Sequence, residues 1–149
     1  MQQMTMIFMT IPGMLFVIGC QHLPDRPEGM PELTPCTMEV TFGGEQLSDV
    51  GVLLKPKDAG NATSISWAAG GKTDHEGRAV MITAAHYRGV VPGEYVVSFE
   101  KYAPEEMRGD GMPLPAKPLV PLKYSQKQSK ETVTVTKSQN VYTFDLDGL

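Results

Sequence analysis

The fold is decided by residues 91–100, which read VPGEYVVSFE. The proline and glycine at 92–93 favour a turn, and proline suits the beginning of a strand because it cannot donate a ladder hydrogen bond. After this turn hydrophobic residues alternate, so that Tyr95, Val97 and Phe99 share one face. The stretch therefore predicts a β-strand with one face in a hydrophobic core.

Shorter runs with the same alternation occur on both sides of this stretch. Residues 36–42 place Met38, Val40 and Phe42 on one face, and residues 141–146 repeat the pattern near the C-terminus. No sustained helical period follows the first of these runs. The sequence therefore predicts an all-β fold, a seven-stranded antiparallel Ig-like sandwich of two sheets. The four remaining strands are expected at residues 50–54, 63–67, 78–83 and 131–136.

Three expectations concern the arrangement of these strands. Ile65 and Trp67 alternate with hydroxyl residues, so we expect both side chains to point inward. Val80 and Ile82 share one side of the following strand. Residues 137–140 have the length and composition of a loop that joins the last two strands as a hairpin.

Residues 70–77, GGKTDHEG, have the composition of a turn. Asp74 can accept a hydrogen bond from the backbone two residues later, and Gly77 can adopt a positive φ without steric cost. We therefore expect this segment to connect two strands rather than to form one.

Residues 102–130 interrupt the strand pattern for longer than a simple connection requires. The segment contains five prolines, which predict an extended, polyproline-like chain in its central part. One interpretation is a crossover that covers one end of the sandwich or an exposed edge strand. The other is a functional loop, since long loops on a rigid scaffold commonly carry binding residues.

The first twenty residues contain no charged side chain. Residues 4–19 form an apolar run shorter than the ~20 residues of a membrane-spanning helix. The run ends in VIGC, which resembles the bacterial lipobox, in which a small residue such as Gly19 precedes the cut and the Cys20 thiol receives a diacylglycerol. We therefore expect a signal peptide over residues 1–19 and a lipid on Cys20. A buried segment or an uncleaved anchor is the alternative.

A lipid on Cys20 has consequences for the rest of the chain. It leaves Cys36 without an intramolecular partner, whereas cleavage elsewhere would permit a disulfide between the two cysteines. Gln21 directly after the lipidated residue favours sorting to the outer membrane or cell surface. Residues 20–35 are rich in proline and predict a tether, and residues 36–149 then form one β domain.

The charge distribution restricts the classes of partner. A net charge of −4 and a pI near 5.3 argue against a nucleic-acid partner bound through its phosphates. Residues 112–149, in contrast, carry five basic and three acidic residues. Lys123, Lys127 and Lys130, interleaved with Tyr124, form a candidate surface for an anionic envelope polymer or an acidic partner. The alternative is that these lysines are simply a solvated face.

Residue types that perform catalysis or bind metals are sparse and scattered. His22, His75 and His86 lack the spacing that brings two metal ligands to one face. The chain has no G-x-S-x-G motif, and Cys36 lies at the beginning of a predicted strand with no histidine nearby in sequence. We therefore expect no catalytic residue, no metal and no cofactor.

Two short motifs stand about fifteen residues apart, a T-D-x-x-G turn and a P-G-x-Y-x-V strand start. Their residues are Thr73, Asp74 and Gly77, followed by Pro92, Gly93 and Tyr95. Over residues 36–101 the chain resembles the carboxypeptidase regulatory-like domain, also called transthyretin-like or prealbumin-like. Residues 120–146 are similar to the ending of small bacterial lipoproteins built on this domain. The resemblance implies a seven-stranded Ig-like accessory domain at the bacterial envelope, without catalytic residues of its own.

Together these patterns lead to one functional hypothesis and one alternative. We expect an exported, lipid-anchored β-sandwich that acts as a non-catalytic binding or scaffolding module for an envelope protein or polysaccharide. The alternative is an envelope hydrolase or transferase with an unrecognised site near residues 102–130.

Overall fold

The computed structural model describes residues 26–58 and 66–147. The expected signal peptide, Gly19 and Cys20, the first part of the tether and residues 63–65 of the expected third strand lie outside the described residues. Every regular element is a β-strand except one 3₁₀ turn, Leu122–Tyr124, which confirms the all-β class. Among the described residues no helix is long and apolar enough to span a membrane. The strands are β1 (Thr37–Phe42), β2 (Glu45–Gln46), β3 (Gly51–Pro56), β4 (Ala69–Lys72), β5 (Arg78–Val80), β6 (Ile82–Thr83), β7 (Tyr87–Arg88), β8 (Gly93–Glu100), β9 (Thr132–Val135) and β10 (Val141–Leu146).

The strands form two sheets. One has six strands in the order β7-β6-β4-β3-β8-β9, and all of its pairs are antiparallel. The other has β1 in the middle, with β10 on one side and β2 and β5 sharing the other side. β1 and β10 run parallel, with Thr37 opposite Val141 and Phe42 opposite Leu146. Residues 26–58 and 66–147 thus form ten strands rather than the seven expected, and one pair departs from the expected antiparallel arrangement.

A single hydrophobic core lies between the sheets. Met38 and Val40 of β1 face Val97 and Phe99 of β8, and all four side chains are buried. These are the faces that the alternation predicted for both strands, and Tyr95 is buried as well. Two antiparallel-rich sheets that share one core have the arrangement of a β-sandwich.

The hairpin expected at residues 137–140 is wrong. β9 pairs with β8 in the six-stranded sheet, whereas β10 pairs with β1 in the other sheet. The Tyr142 hydroxyl accepts a hydrogen bond from the Thr136 N–H and donates one to the Gln139 carbonyl, each at 3.0 Å. The connection therefore bends around the Tyr142 side chain and crosses from one sheet to the other. In the sequence, such a crossing and a hairpin look the same, because both are two alternating runs joined by a short loop.

The expectations for residues 63–77 need correction. Ser66 and Trp67 belong to no strand, and Trp67 is half-buried rather than in the core. The strand is instead β4, which occupies glycines that we assigned to a turn. Gly71 is required there because a Cβ would lie 2.9 Å from the Val80 carbonyl oxygen. Glycine occurs at position 71 because two backbones approach closely there, and not because the chain turns.

The segment expected as one strand over residues 78–83 is divided by Met81, because β5 belongs to one sheet and β6 to the other. Val80 and Ile82 therefore lie in different sheets and neither is buried, since Val80 is 49% exposed and Ile82 is half-buried. The buried side chains are Ala79, Met81 and Thr83. A small residue and a threonine thus mark the inner face, and hydrophobicity alone pointed to the wrong one.

The sandwich has two distinct ends. The described chain enters where β1 and β8 begin and β9 ends, and we call this the tether end. Part of the expected tether packs here, since Met30 and Thr34 are buried and Thr34 exchanges backbone hydrogen bonds with Val90. β8 and β10 finish at the opposite end, which we call the far end. The six residues of β1 separate the two ends by roughly 20 Å.

Candidate functional site

The long segment after β8 begins with an exposed arm at the far end. Residues 102–118 run out and back as an extended pair, with isolated bridges between Tyr102 and Pro118 and between Met107 and Pro113. Prolines limit the number of ladder hydrogen bonds, so the arm is extended without regular strands. Val120 and Tyr124, both buried, return the chain to the core.

A groove lies directly after this return. It encloses about 710 Å³ and contains all four residues of the predicted binding surface, Lys123, Tyr124, Lys127 and Lys130. The structure therefore brings the predicted residues together at one site. Three further lining residues, Gln128, Glu131 and Asp147, carried no signal in the sequence because they are ordinary polar residues whose proximity depends on the tertiary fold.

Hydrogen bonds that involve side chains hold the groove against β8. The Ser129 hydroxyl donates to the Val97 carbonyl at 2.5 Å, and the Ser129 N–H donates to the Ser125 carbonyl at 2.8 Å. The Gln126 N–H donates to the Glu100 carboxylate at 3.3 Å. These bonds tie the wall formed by residues 122–130 to a central strand, so the lysines project from a braced loop.

Tyr124 connects the groove to the core. Its side chain is only 6% exposed, and its ring meets Phe99 edge to face, with centroids 6.3 Å apart. Phe99 also packs on Phe144, at 5.2 Å between centroids. Aromatic pairs of this geometry contribute beyond their buried area. The ring is therefore part of the core, while the hydroxyl reaches the floor of the groove.

Asp147 organises the charges in the groove. Its carboxylate accepts hydrogen bonds from the Tyr124 hydroxyl and from Lys123 Nζ, the latter at 2.9 Å. The hydrogen bond from Tyr124, followed by that from Lys123, lowers the pKa of Asp147 to about 2. Lys123 Nζ also lies 5.0 Å from the centre of the Tyr124 ring, a distance that permits a cation–π contact.

The pKa values of the two partners move in the opposite direction. Desolvation, and then the hydrogen bond to the Asp147 carboxylate, raise the pKa of Tyr124. The hydrogen bond to Asp147 raises the pKa of Lys123. Each group thus keeps its ordinary charge at neutral pH more firmly than it would in water. The triad is suited to fixing a geometry and is poorly suited to exchanging protons.

The remaining lysines leave positive charge for a ligand. Lys127 and Lys130 are exposed, and no residue within 26–58 or 66–147 forms an ion pair with either. Glu131 is the one lining carboxylate apart from Asp147, which Lys123 already neutralises. An anionic group placed in the groove would therefore meet two ammonium groups that no carboxylate among the described residues neutralises.

The first sequence motif forms a structural turn at the far end. The Thr73 hydroxyl donates to the Leu47 carbonyl at 2.7 Å and accepts from the Val50 N–H at 2.8 Å. Asp74 accepts from the Arg78 and Glu76 N–H groups, and these bonds, Arg78 first, lower the pKa of its carboxyl group. Gly77 has φ +72°, so the turn requires a residue that adopts positive φ readily.

The second motif begins β8. The strand starts at Gly93, directly after Pro92, and the Tyr95 hydroxyl donates to the Val91 carbonyl at 2.6 Å. Burial raises the pKa of Tyr95 to about 12, so the hydroxyl stays a donor. A tyrosine that bonds back to the preceding corner also stabilises Ig-like sandwiches.

Groups that could hold a metal do not converge in the described part of the chain. His75 is exposed in the turn, and its Nε2 lies 4.0 Å from Glu76. His86 lies in a turn at the tether end. No group of three or more histidine, cysteine, aspartate or glutamate residues among those described is arranged to hold a metal ion. The expected lipidation site, Cys20, lies outside these residues.

The chain matches no protein-family model, no curated protein and no solved structure. The function proposed below consequently depends on the chemistry of the groove and on the sequence patterns.

Proposed function

We propose that this protein is a lipid-anchored β-sandwich of the bacterial cell envelope that acts as a non-catalytic binding or scaffolding module. The observation that supports the proposal most strongly is the convergence of Lys123, Tyr124, Lys127 and Lys130 in one braced groove. The N-terminal part of the proposal comes from the lipobox-like VIGC sequence, which ends in Cys20. The protein is exported and then held at the outer membrane or cell surface by its lipid.

The finer fold belongs to the same proposal. We place the domain among carboxypeptidase regulatory-like, or transthyretin-like, sandwiches. Support comes from the roles of the motif residues, since Thr73 joins two loops and Tyr95 bonds back to Val91 at the beginning of its strand. Both are structural roles, as expected for an accessory domain whose motifs specify the fold and not an activity.

The partner is an anionic envelope polysaccharide or an acidic protein surface. Lys127 and Lys130 supply charge that their neighbours do not neutralise, and the Tyr124 hydroxyl, bonded to Asp147, fixes the floor of the groove beside them. A braced site loses less conformational entropy on binding than a flexible loop does. Affinity should therefore fall with ionic strength, as expected for contacts between exposed charges.

A catalytic role near residues 102–130 is the alternative. It is favoured by one observation, namely that Lys123, Tyr124 and Asp147 have shifted pKa values in a concave site. The direction of the shifts favours binding instead. A general acid or base needs a pKa near the working pH, whereas these three values move away from neutrality.

The test reverses charge in the groove and compares retention of the purified mature protein on isolated envelope material. Lys123→Glu, Lys127→Glu and Lys130→Glu combined should reduce the bound fraction at least tenfold. The control combines Lys55→Glu, Lys57→Glu and Lys72→Glu, which change the net charge equally on other surfaces, and should bind nearly as well as the unaltered protein. Equal retention of the two variants would remove the groove from the proposal.

The anchor has a separate test. Intact mass of the protein from the membrane fraction should equal residues 20–149 plus the acyl groups on Cys20. An unmodified Cys20 would overturn the lipoprotein part of the proposal while leaving the groove part intact.

A further inference from the structure

The tether end of the sandwich carries a second cavity that the proposed function does not use. It encloses about 470 Å³, and its lining combines two arginines with two aromatic rings, one leucine and one carboxylate. The lining residues are Arg26, Glu32, Leu33, His86, Tyr87 and Arg88.

The charge in this cavity is mainly positive. Arg26 is held in place by a hydrogen bond from Nη2 to the Pro31 carbonyl at 2.5 Å. Glu32 is drawn to Lys137, whose Nζ lies 2.7 Å from Oε2, and this bond lowers the pKa of Glu32. Within the described part of the chain no carboxylate pairs with Arg88. Two guanidinium groups therefore face a cavity whose one carboxylate is already neutralised.

A strained turn presents the aromatic wall of the cavity. Ala84 and Ala85 both have positive φ, 50° and 62°, and the His86 N–H donates to the Thr83 carbonyl at 3.3 Å. Two consecutive left-handed residues close a tight hairpin turn, and this turn fixes where the following two side chains lie. The rings of His86 and Tyr87 then meet edge to face at 6.4 Å.

The length of chain before Arg26 brings this cavity close to the membrane. Arg26 lies only six positions after Cys20, and a fully extended chain spans at most ~3.6 Å per step, or about 22 Å. If Cys20 carries the proposed lipid, the tether end cannot lie farther than this from the bilayer surface. The argument rests on the lipid anchor of the proposed function and not on the groove.

We propose that the tether-end cavity docks on the phosphate headgroups of the bilayer that holds the lipid anchor. Arg26 and Arg88 bind the phosphates, since a guanidinium is a planar donor that matches phosphate oxygens with two parallel hydrogen bonds. Tyr87 lies at the interface, where its ring meets the acyl boundary. Anionic lipids strengthen this docking because each basic side chain near their surface adds to the attraction.

This docking fixes the direction of the groove. Lys127 and Lys130 lie at the far end, and β1 alone separates the two ends by roughly 20 Å. The groove therefore lies in the half of the sandwich that is farther from the anchoring membrane, where a partner can reach it.

The experiment uses the protein's single tryptophan, Trp67, which lies two residues before β4 at the tether end. The mature lipidated protein is reconstituted in vesicles of phosphatidylcholine with one quarter phosphatidylglycerol, containing a lipid with a nitroxide on its headgroup. Fluorescence of Trp67 should be quenched at least threefold more than that of a far-end tryptophan, provided by the double variant Trp67→Phe, Gln126→Trp. Equal quenching at the two positions would overturn the docking.

A second comparison tests the arginines. Arg26→Gln with Arg88→Gln should remove at least half of the Trp67 quenching, whereas Lys55→Gln with Arg108→Gln should leave it unchanged. Undiminished quenching in the first variant would overturn the role of the cavity. Intact mass distinguishes failure of the docking from failure of the anchor. Lipidated protein without differential quenching contradicts the docking alone. Unlipidated Cys20 contradicts the anchor, on which the docking proposal rests.

Discussion

Thr73 illustrates how much of this fold depends on single polar atoms inside the sandwich. Its side chain is 3% exposed, and one hydroxyl satisfies both the Leu47 carbonyl and the Val50 N–H. Its own backbone groups bond to Val50 and Asp49. The residue thus closes the loop between β2 and β3 against the chain that follows β4.

Thr73→Ala should therefore destabilise the protein strongly. The substitution leaves a buried carbonyl and a buried N–H without a partner, which costs about 2–3 kcal/mol of unfolding free energy. Thr73→Ser keeps the hydroxyl and loses one methyl group, so it should cost about 1 kcal/mol. Urea denaturation of both variants measures the difference. Equal losses would show that the methyl group, and not the hydrogen bonds, holds the loop.

Cys36 should be nearly inert in the folded protein. Its side chain is 3% exposed, and burial raises the pKa of the thiol to about 11. At pH 8 this lowers the thiolate fraction roughly hundredfold relative to an ordinary cysteine. Alkylation in buffer should accordingly be at least a hundred times slower than in urea, and comparable rates would contradict the buried position.

The same thiol gives a pH dependence of stability. Because its folded pKa is raised above the unfolded value, the unfolded state loses its proton first as pH rises. The contribution of Cys36 to stability is therefore complete below about pH 9, the ordinary value, and is lost as pH rises toward 11. Denaturation midpoints should fall over this range more steeply for the unaltered protein than for Cys36→Ala.

At the scale of the element, β4 is shaped by the close approach of another backbone. A Cβ on Gly71 would lie 2.9 Å from the Val80 carbonyl and 3.0 Å from Met81 Sδ, whereas a Cβ on Gly70 would meet nothing nearer than 3.7 Å. Gly71→Ala should therefore lower the unfolding free energy by about 1–3 kcal/mol. Gly70→Ala, its neighbour in the same strand, should be neutral or slightly stabilising. Similar effects of the two changes would contradict the close approach.

The turn between β6 and β7 should be improvable. Ala84 and Ala85 occupy left-handed positions, as the central residues of a type I′ turn do, and such turns favour asparagine followed by glycine. Ala84→Asn with Ala85→Gly should raise the unfolding free energy by about 1 kcal/mol. Ala116→Gly is the control, because Ala116 is exposed and lies outside the left-handed region. It should not raise the unfolding free energy. Destabilisation by the double change would show that the two left-handed alanines do not lower the unfolding free energy.

The strands could be predicted from the sequence where one face is strongly hydrophobic. Tyr95, Val97 and Phe99 identified β8 and its buried side because aromatic and branched residues alternate with polar ones. The strand at Ala69–Lys72 was missed because alanine and glycine carry no hydrophobic period. Gly71 is required by the backbone of Val80, which comes later in the sequence and in another strand, and this constraint leaves no local pattern.

The length of a connection did not predict strand partners. The connection between β9 and β10 has hairpin length, yet β10 joins β1 from across the core. The strand with which β10 pairs depends on which sheet edge is open, and this is a property of the assembled sandwich. Hydrogen bonds to the Tyr142 hydroxyl then stabilise the crossing.

At the scale of the whole molecule, the two ends of the sandwich have different chemistry. Arg26 and Arg88 line the cavity at the tether end, whereas Lys127 and Lys130 line the groove at the far end. The lysines of the groove were predictable because they are close in sequence. Asp147 was not, since its contact with Tyr124 joins residues 23 positions apart through the register of β10.

The most direct test of the account places a photo-crosslinking amino acid at Gln128, in the groove, and separately at Lys55, on the outside of β3, in living cells. We expect discrete adducts with an envelope component from position 128 and few from position 55. We also expect that Lys127→Glu with Lys130→Glu abolishes the adducts from position 128. Identical adducts from both positions, or adducts that survive the charge reversal, would contradict the proposal that this groove is the binding site.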